Sequence, residues 1–388
     1  MNASTRAYRL LARVAARLLS ACDIVVSVYA RRSVAAGEVA FARSDIDLGI
    51  VVREGVPPLA EGRALLGLAR RYRRIKIALP VLGECEVHDP ESLRRLPRID
   101  PYRASIDRRA ALLLHGPPFL IREAAVPPDE AVRRLIFWIE RYLPAAIRSR
   151  SARSARKLAL EMWNGWACAT GLVPEPYLTR RDTAAAIARH GMVLPRDPIA
   201  SCFAVAADMH RRLFRPLDRL RTALVTRIEL PPMLHARLLV LIPDADSPLP
   251  DEAFTPGSLV ATPEALALYL RYVNPFAHAY LPHAVLDLGF PPPERADVAA
   301  CCRRYAGDRQ MLRAPGLSSR EVVGPAQRAA AARMGLEAWR SGEPLGRLEP
   351  RRPTPPTLSE YYMNVYPALC EEMSAIWDVL EHACDPVR

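Results

Sequence analysis

The sequence predicts an α/β domain with a mixed sheet, followed by a mainly α-helical region. In about the first 120 residues, apolar runs typical of strands alternate with amphipathic helical stretches. After Asp129 the strand signals nearly vanish. Half of the 388 residues are hydrophobic, so the chain can form sizeable cores in two or three domains.

The N-terminal elements follow one another at short intervals. The helical spacing of Leu10, Val14 and Leu18 predicts an amphipathic helix over residues 4–20 that packs on the sheet. Strands are predicted over residues 23–29, 45–52 and 80–87, and a second helix over residues 59–75.

Three domains are predicted along the chain. The α/β domain covers residues 1–125, and a helical domain covers residues 126–240. A second helical region covers residues 258–388 and contains a linker over 341–357 with five prolines. The C-terminal helix after this linker is expected to cover the cleft or to form a contact in a homodimer.

The composition favours anionic partners and a reducing compartment. The net charge is +12, which suits NTPs or nucleic acid but equally a solvated basic surface. The eight cysteines are dispersed without a Cys-x-x-Cys pair, so we expect reduced thiols and no zinc site. No stretch is long and apolar enough to span a membrane. The expected location is therefore cytoplasmic, with no membrane partner.

Two aspartates at the start of the second predicted strand carry the clearest functional signal. Asp45 and Asp47 flank Ile46, and an apolar run follows. Because side chains alternate between the faces of a strand, the two carboxylates point the same way. A divalent metal offsets their repulsion, and Mg²⁺ prefers carboxylate and phosphate oxygens. The alternative is an edge strand with two solvated aspartates.

The residues before these aspartates carry a resemblance to a known family. A strand over residues 23–29 leads to a turn with Ser33, and Asp45 follows 12 residues later. This order resembles the nucleotidyltransferase superfamily, which includes DNA polymerase β-like enzymes and aminoglycoside nucleotidyltransferases. The resemblance covers roughly residues 20–90. It implies transfer of a nucleotide from an NTP, with two Mg²⁺ ions held by three carboxylates.

The resemblance implies that Asp45 and Asp47 are catalytic metal ligands and that a later strand supplies the third carboxylate. Glu86 fits the apolar–acidic–apolar pattern best and is the expected third ligand. Glu84 and, less closely, Asp89 compete for this role. The alternative for Glu86 is a salt bridge to the Arg-rich second helix.

The same resemblance implies that the turn binds the triphosphate. Ser33 and nearby backbone N–H groups are expected to hold the β- and γ-phosphates. Ser44 and Lys157 are further expected nucleotide contacts. The chain departs from the family at Arg32, which stands where relatives have glycine. Its guanidinium group either binds phosphate itself or fills the site.

The resemblance implies that the helical domain over residues 126–240 binds the acceptor of the nucleotide. In this region, small-molecule nucleotidyltransferases place an acidic base and a basic phosphate contact. The candidates for the base are Glu140 and Glu161, and those for the contact are Arg153, Arg156 and Lys157. A solvated helix face explains each of them at least as well.

The leading hypothesis is a Mg²⁺-dependent nucleotidyltransferase that uses an NTP, with ATP favoured, and a hydroxyl acceptor on a small molecule, a protein or RNA. The second is a catalytically degenerate protein that binds a nucleotide, nucleic acid or protein. Convergence of Asp45 and Asp47 with Glu84 or Glu86 favours the enzyme. An ion pair from Arg32 to either aspartate favours the binding protein.

Overall fold

The computed structural model describes residues 3–42, 44–119, 152–190 and 356–371. Shorter described stretches are 121–123, 125–128, 130–131, 134–135, 138, 198, 201–202, 205, 226–227, 260–261, 312–318 and 374. The chain divides into two compact units. Unit 1 comprises Met1–Ala125, Ala299–Glu337 and Glu349–Arg388, and unit 2 comprises Val126–Val298 and Ala338–Leu348.

Unit 1 contains a mixed four-stranded sheet, which confirms the predicted α/β class. The strands are β1 (Val25–Arg31), β2 (Ile46–Val52), β3 (Leu82–His88) and β4 (Ala111–His115), in the order β3-β2-β1-β4. β1 is antiparallel to both β2 and β4, whereas β2 is parallel to β3. The central strand β2 is almost entirely buried and apolar after Asp47, as expected of a strand covered on both faces.

Five helices belong to the N-terminal part of unit 1. They are α1 (Ala3–Leu19), α2 (Arg32–Ala36), α3 (Pro58–Ala78), α4 (Pro90–Ile99) and α5 (Pro101–Arg109). The side chains of Asp89 and Asp100 cap α4 and α5 by accepting the backbone N–H groups of Ser92 and Arg103. Each cap is followed by a proline at the first helical position, a strong helix start.

The face of α1 that packs on the domain is not the predicted one. Leu10, Val14 and Leu18 are 61%, 45% and 48% exposed, so the prediction that they contact the sheet is wrong. The buried residues are Thr5, Tyr8, Ala12, Ala15, Ala16 and Leu19. Small alanine side chains let a helix approach its neighbours closely, and this packing outweighs the burial of larger aliphatic groups.

The described part of unit 2 is mostly helical. It contains α6 (Ala152–Ala169), α7 (Arg180–Arg189) and two short antiparallel strands, β5 (Thr226–Arg227) and β6 (Val260–Ala261). Asn164 of α6 holds the connection to α7, because its amide exchanges two 2.8 Å hydrogen bonds with the backbone of Tyr177.

The C-terminal part of the chain contributes to unit 1. It supplies α8 (Pro315–Ser318), α9 (Leu358–Glu360) and a π-helical turn over Tyr361–Val365. The hydroxyl groups of Tyr361 and Tyr362 donate to the carbonyls of Leu312 and Arg313, both at 2.9 Å. These bonds join the two C-terminal stretches to each other.

Arg313 joins this C-terminal part to the N-terminal elements. Its buried guanidinium group lies 2.7 Å from Glu61 of α3 and 2.6 Å from Asp89. The packing is also close at Gly62 of α3, where a Cβ would lie 2.1 Å from the carbonyl oxygen of Tyr362. No helix in the described part of the chain combines the length and the apolar character needed to cross a membrane.

Candidate functional site

The site is built around the turn between β1 and β2. Arg32 starts α2 with a backbone φ of +50°, and Gly37 ends it with a φ of +79°. Positive φ favours glycine, so Arg32 has a glycine-like backbone at the position where the resemblance implies glycine. α1 fixes this short helix, since Arg9 donates to the carbonyls of Val34 and Ala35 at 3.3 and 3.1 Å.

Ser33 and Ser44 differ in their hydrogen bonds. The carbonyl of Ser33 accepts the N–H groups of Gly37 and Glu38. The hydroxyl of Ser44 accepts the N–H of Ala40 at 2.9 Å and closes the loop before β2. Ser44 therefore has a structural role in this loop, and its predicted contact with a nucleotide stays a prediction.

Asp45 and Asp47 lie at the start of β2 on the face opposite to Ile46 and Leu48. The latter two are fully buried, whereas Asp47 is partly exposed and Asp45 is exposed. One carboxylate oxygen of Asp47 accepts the backbone N–H of Glu84 at 3.1 Å. The two aspartates and β3 are therefore in direct contact.

Gly83 allows this contact. A Cβ at residue 83 would lie 2.6 Å from Oδ1 of Asp47 and 2.7 Å from Cβ of Asp45. Atoms do not approach so closely in real structures, so only glycine fits beside the two aspartates without a shift. The register of β2 and β3 also changes here.

Glu86 is engaged by two arginines and lies near a histidine. Its carboxylate forms ion pairs with Arg31, at 2.5 Å, and with Arg103. His88 lies 3.5 Å away from the same oxygen. The alternative expectation, a salt bridge, thus describes Glu86, although its partners come from β1 and α5 and not from α3.

Asp107 completes this buried network. It accepts hydrogen bonds from Arg31 at 2.6 and 2.7 Å, and Arg103 lies 3.3 Å away. Burial alone would raise the pKa of Asp107, but the charges of Arg31 and Arg103 outweigh burial and lower the pKa to about 2. Two guanidinium groups thus face two carboxylates, and the network is balanced in charge.

Gly49 of β2 makes room for this network. A Cβ at Gly49 would lie 3.0 Å from Cδ of Arg31, so the Arg31 side chain crosses β2 at this glycine. Gly49 is also the partner of Glu86 in the pairing of β2 with β3. The Arg31 guanidinium group therefore lies on the face of the sheet that carries Asp47.

The described ion pairs of unit 1 do not include the carboxylates of Asp45 and Asp47. Several other carboxylates of the described residues form close ion pairs with arginines. They are Glu54, Glu61, Glu86, Asp89, Glu91 and Asp107. Within the described ranges, neither Asp45 nor Asp47 forms an ion pair. These same ranges contain no group of three His, Cys, Asp or Glu side chains arranged to hold a metal ion.

The side chain of Arg32 pairs with Glu84. Its guanidinium group is 47% exposed and lies 3.9 Å from the carboxylate of Glu84, which is 52% exposed. Such an exposed, long ion pair contributes little to stability. The ion pair from Arg32 to Asp45 or Asp47 that would favour a binding protein is not formed among the described residues, and Glu84 is the partner of Arg32.

The candidates of the helical region lie on α6 of unit 2. Arg153, Arg156 and Lys157 are exposed on this helix and Glu161 is partly exposed, whereas Glu140 lies outside the described residues. Trp163 and Trp166 are buried, with ring centroids 4.8 Å apart. They line an apolar pocket together with Leu172, Val173, Tyr177, Ile187 and His190.

Sequence reasoning missed Arg103 and Asp107, and it expected Arg31 to supply charge for phosphate binding, not to form buried ion pairs. Arg31 ends a buried strand, and a charged residue in such a position signals a buried partner. The partner could not be identified, because Asp107 follows 76 residues later. The sequences Asp89–Pro90 and Asp100–Pro101 do indicate the starts of α4 and α5.

A comparison with protein-family models finds no match, and neither the curated proteins nor the solved structures that were compared match the chain.

Proposed function

We propose that unit 1 is a Mg²⁺-dependent nucleotidyltransferase, which moves NMP from an NTP to a hydroxyl group and releases pyrophosphate. One observation carries the proposal. In a chain with a net charge of +12, arginines pair with Glu84 and Glu86 of the neighbouring strand β3, yet Asp45 and Asp47 have no ion-pair partner among the described residues. Two adjacent carboxylates left in this state suit a cation that arrives with the substrate.

The donor groups present fit Mg²⁺ in kind. Asp45 and Asp47 offer carboxylate oxygens on one face of β2, and the phosphate oxygens of an NTP are the usual further ligands. Mg²⁺ bound there would neutralise charge on the transferring phosphoryl group. Glu84 replaces Glu86 as the third candidate ligand, because Glu84 contacts Asp47 through its backbone and its exposed carboxylate has a weak partner.

The turn at the end of β1 supports the proposal as a phosphate contact. Arg32 carries the exposed guanidinium group of this turn, since Arg31 is buried between Glu86 and Asp107. We expect Arg32 to exchange its pair with Glu84 for a phosphate of the NTP, where a charge-assisted bond is stronger. The acceptor is a small molecule, a protein or RNA.

A second candidate function is a catalytically degenerate protein that binds a nucleotide, nucleic acid or protein partner. The observation that favours it is the engagement of Glu86 by two arginines, which removes the carboxylate expected from the resemblance. In that case the turn binds phosphate without transfer. The two functions differ in the release of pyrophosphate.

The test is a transfer assay on the full chain with each labelled NTP, Mg²⁺ and pools of candidate acceptors. We expect Asp45→Asn and Asp47→Asn to abolish labelling and pyrophosphate release while the circular dichroism spectrum stays unchanged. Asp23→Asn is the matched control, because Asp23 is exposed in the same unit. Transfer that persists in Asp47→Asn would falsify the assignment. NTP binding with no pyrophosphate release from any acceptor pool favours the second function.

A further inference from the structure

The outer face of α1 carries a row of exposed aliphatic side chains. Leu10, Val14 and Leu18 occupy successive turns of the helix, and each is about half exposed or more. Isolated exposed aliphatic residues are normal in soluble proteins, but a row on one helix face indicates an interaction surface. This row lies opposite to the face of α1 that packs on unit 1.

Arginines share the same face. Arg6, Arg13 and Arg17 are exposed, and no acidic residue occurs between Ala3 and Leu19. At about 100° per residue, the three arginines and the aliphatic row lie within an arc of roughly 140°. The arginines lie along one side of the row.

Basic residues of α3 extend the positive charge next to α1. Arg71 of α3 donates a 3.0 Å hydrogen bond to the carbonyl of Leu18, so the two helices are neighbours at this end. Arg70 and Arg74 are exposed on α3. The surface formed by α1 and this part of α3 therefore combines aliphatic groups with cations.

We propose that the outer face of α1 docks on the surface of a bilayer that contains anionic phospholipid. Such an interface is apolar at the acyl chains and negative at the headgroups, so it accepts both kinds of side chain together. The aliphatic row enters the acyl boundary, and the long arginine stems bring their charges to the headgroups. This contact differs from the expectation of no membrane partner, and it does not depend on the proposed function.

Other occupants fit this face less well. A second copy of the chain would oppose arginine rows of like charge across a two-fold axis. A nucleic acid backbone would pair with the arginines but leave the aliphatic row against phosphates. An acidic amphipathic helix of another protein shares the charge complementarity, but an apolar groove on that partner would desolvate the arginines on the same face.

The contact is reversible and sensitive to salt. Each arginine near an anionic surface strengthens partition by roughly fivefold, and salt screens this attraction. The three aliphatic groups alone are a weak anchor, comparable to or weaker than a single acyl chain. Both kinds of side chain are therefore needed for measurable binding.

The experiment is sedimentation of the full chain with vesicles of phosphatidylglycerol and phosphatidylcholine, compared with phosphatidylcholine alone. We expect binding to the mixed vesicles at low salt, and weak binding to the neutral ones. The double variant Leu10→Ser, Leu18→Ser and the double variant Arg13→Glu, Arg17→Glu should each lower the partition coefficient by roughly tenfold or more. The matched controls are Leu59→Ser, which replaces an aliphatic residue that is 45% exposed in the first turn of α3, and Arg156→Glu on α6.

Four results would overturn the proposal. They are no sedimentation with the mixed vesicles, an equal loss in the control variants, and unchanged binding of the Leu10→Ser, Leu18→Ser variant. The fourth is tight binding of duplex DNA, or of an acidic amphipathic peptide, that requires Arg13 and Arg17 while the vesicles do not bind. This last result would assign the surface to a nucleic acid or a protein partner.

Discussion

At the scale of single residues, Arg31 determines which carboxylates beside the sheet are neutralised by an ion pair. Its buried guanidinium group lies between Glu86 and Asp107, so both acids serve the fold. Asp45 and Asp47 stay outside this network. The strand carboxylates therefore divide into two groups. Glu86 belongs to the buried network, because the side chain of Arg31 crosses β2 at Gly49, whereas Asp45 and Asp47 do not.

Replacing Glu86 and Glu84 separates these roles. Glu86→Gln leaves Arg31 and Arg103 with a neutral partner in a buried site, and we expect the free energy of unfolding to fall by about 3–5 kcal/mol. Glu84→Gln should change this free energy little, since the pair with Arg32 is exposed and long. Urea titrations followed by circular dichroism measure both. A larger loss in Glu84→Gln than in Glu86→Gln would contradict the description of the network.

Asp107 predicts a dependence of stability on acid. Its pKa is lowered to about 2 in the folded chain, below the value near 4 that the unfolded chain has. The unfolded state therefore binds the proton more readily, and the stabilisation is complete above about pH 5. It should be lost between about pH 4 and pH 2 and amount to roughly 2–3 kcal/mol. Urea unfolding from pH 2 to pH 7 measures it.

The control for this pH dependence is Asp107→Asn. This variant lacks the titrating carboxylate, so its stability should depend less on pH in the acid range while being lower at pH 7. The account fails if wild type and variant lose the same free energy between pH 4 and pH 2.

Local sequence patterns encode one part of the site and not the other. The positions of Asp45 and Asp47 on one strand face follow from the alternation of side chains, which depends on neighbours in sequence. The partners of Glu86 do not, since Arg103 follows 17 residues later on α5 and Arg31 comes from β1. Distant ion pairs are fixed by the packing of α5 against the sheet, and no local pattern encodes them.

At the scale of elements, α1 shows that two faces of one helix can compete for burial. The large aliphatic residues predicted the wrong face, and the alanine-rich face with Tyr8 and Leu19 is buried. The strands β1, β2 and β3 were predicted within a few residues, because β1 and β2 are runs rich in β-branched residues and β3 alternates polar and apolar residues between turns. The short strand β4 carries a weaker local signal.

The helix α3 offers a prediction with an internal control. At Gly62 a Cβ would lie 2.1 Å from the carbonyl oxygen of Tyr362, whereas at Gly67 no atom lies within 4 Å. Gly62→Ala should therefore displace the C-terminal turn and destabilise unit 1 by about 1–3 kcal/mol. Gly67→Ala should stabilise the exposed helix by about 1 kcal/mol.

Thermal unfolding of the two alanine variants checks this prediction, with the same substitution on the same helix. A lower melting temperature for Gly62→Ala and a higher one for Gly67→Ala are expected. If both variants melt alike, the turn over Tyr361–Val365 does not pack on α3 as described.

At the scale of the whole molecule, the C-terminal stretches belong to the core of unit 1. This grouping was not predictable, because the Pro-rich stretch before Leu358 indicated a separate arm. Arg313 and the hydroxyl groups of Tyr361 and Tyr362 form the connection. The α/β domain and the C-terminal stretches are therefore expected to unfold together.

Replacing Arg313 tests this cooperativity. Arg313→Met leaves Glu61 and Asp89 buried without their cation, and we expect a loss of about 3–5 kcal/mol in the free energy of unfolding. Arg94→Met is the matched control, since Arg94 pairs with Glu54 and Glu91 at the exposed surface. Urea unfolding measures both variants. Equal stability of the two variants would show that the C-terminal stretch does not stabilise unit 1.

The contact between Arg313 and Glu61 has a consequence for synthesis on the ribosome. The two residues are 252 positions apart, so Glu61 and its neighbours leave the exit tunnel long before their cation is made. At about 5–20 residues per second, the delay is on the order of 10–50 s. Throughout this interval the carboxylates of Glu61 and Asp89 lack their cation, so we expect the nascent N-terminal domain to reach its full stability only when translation is nearly complete.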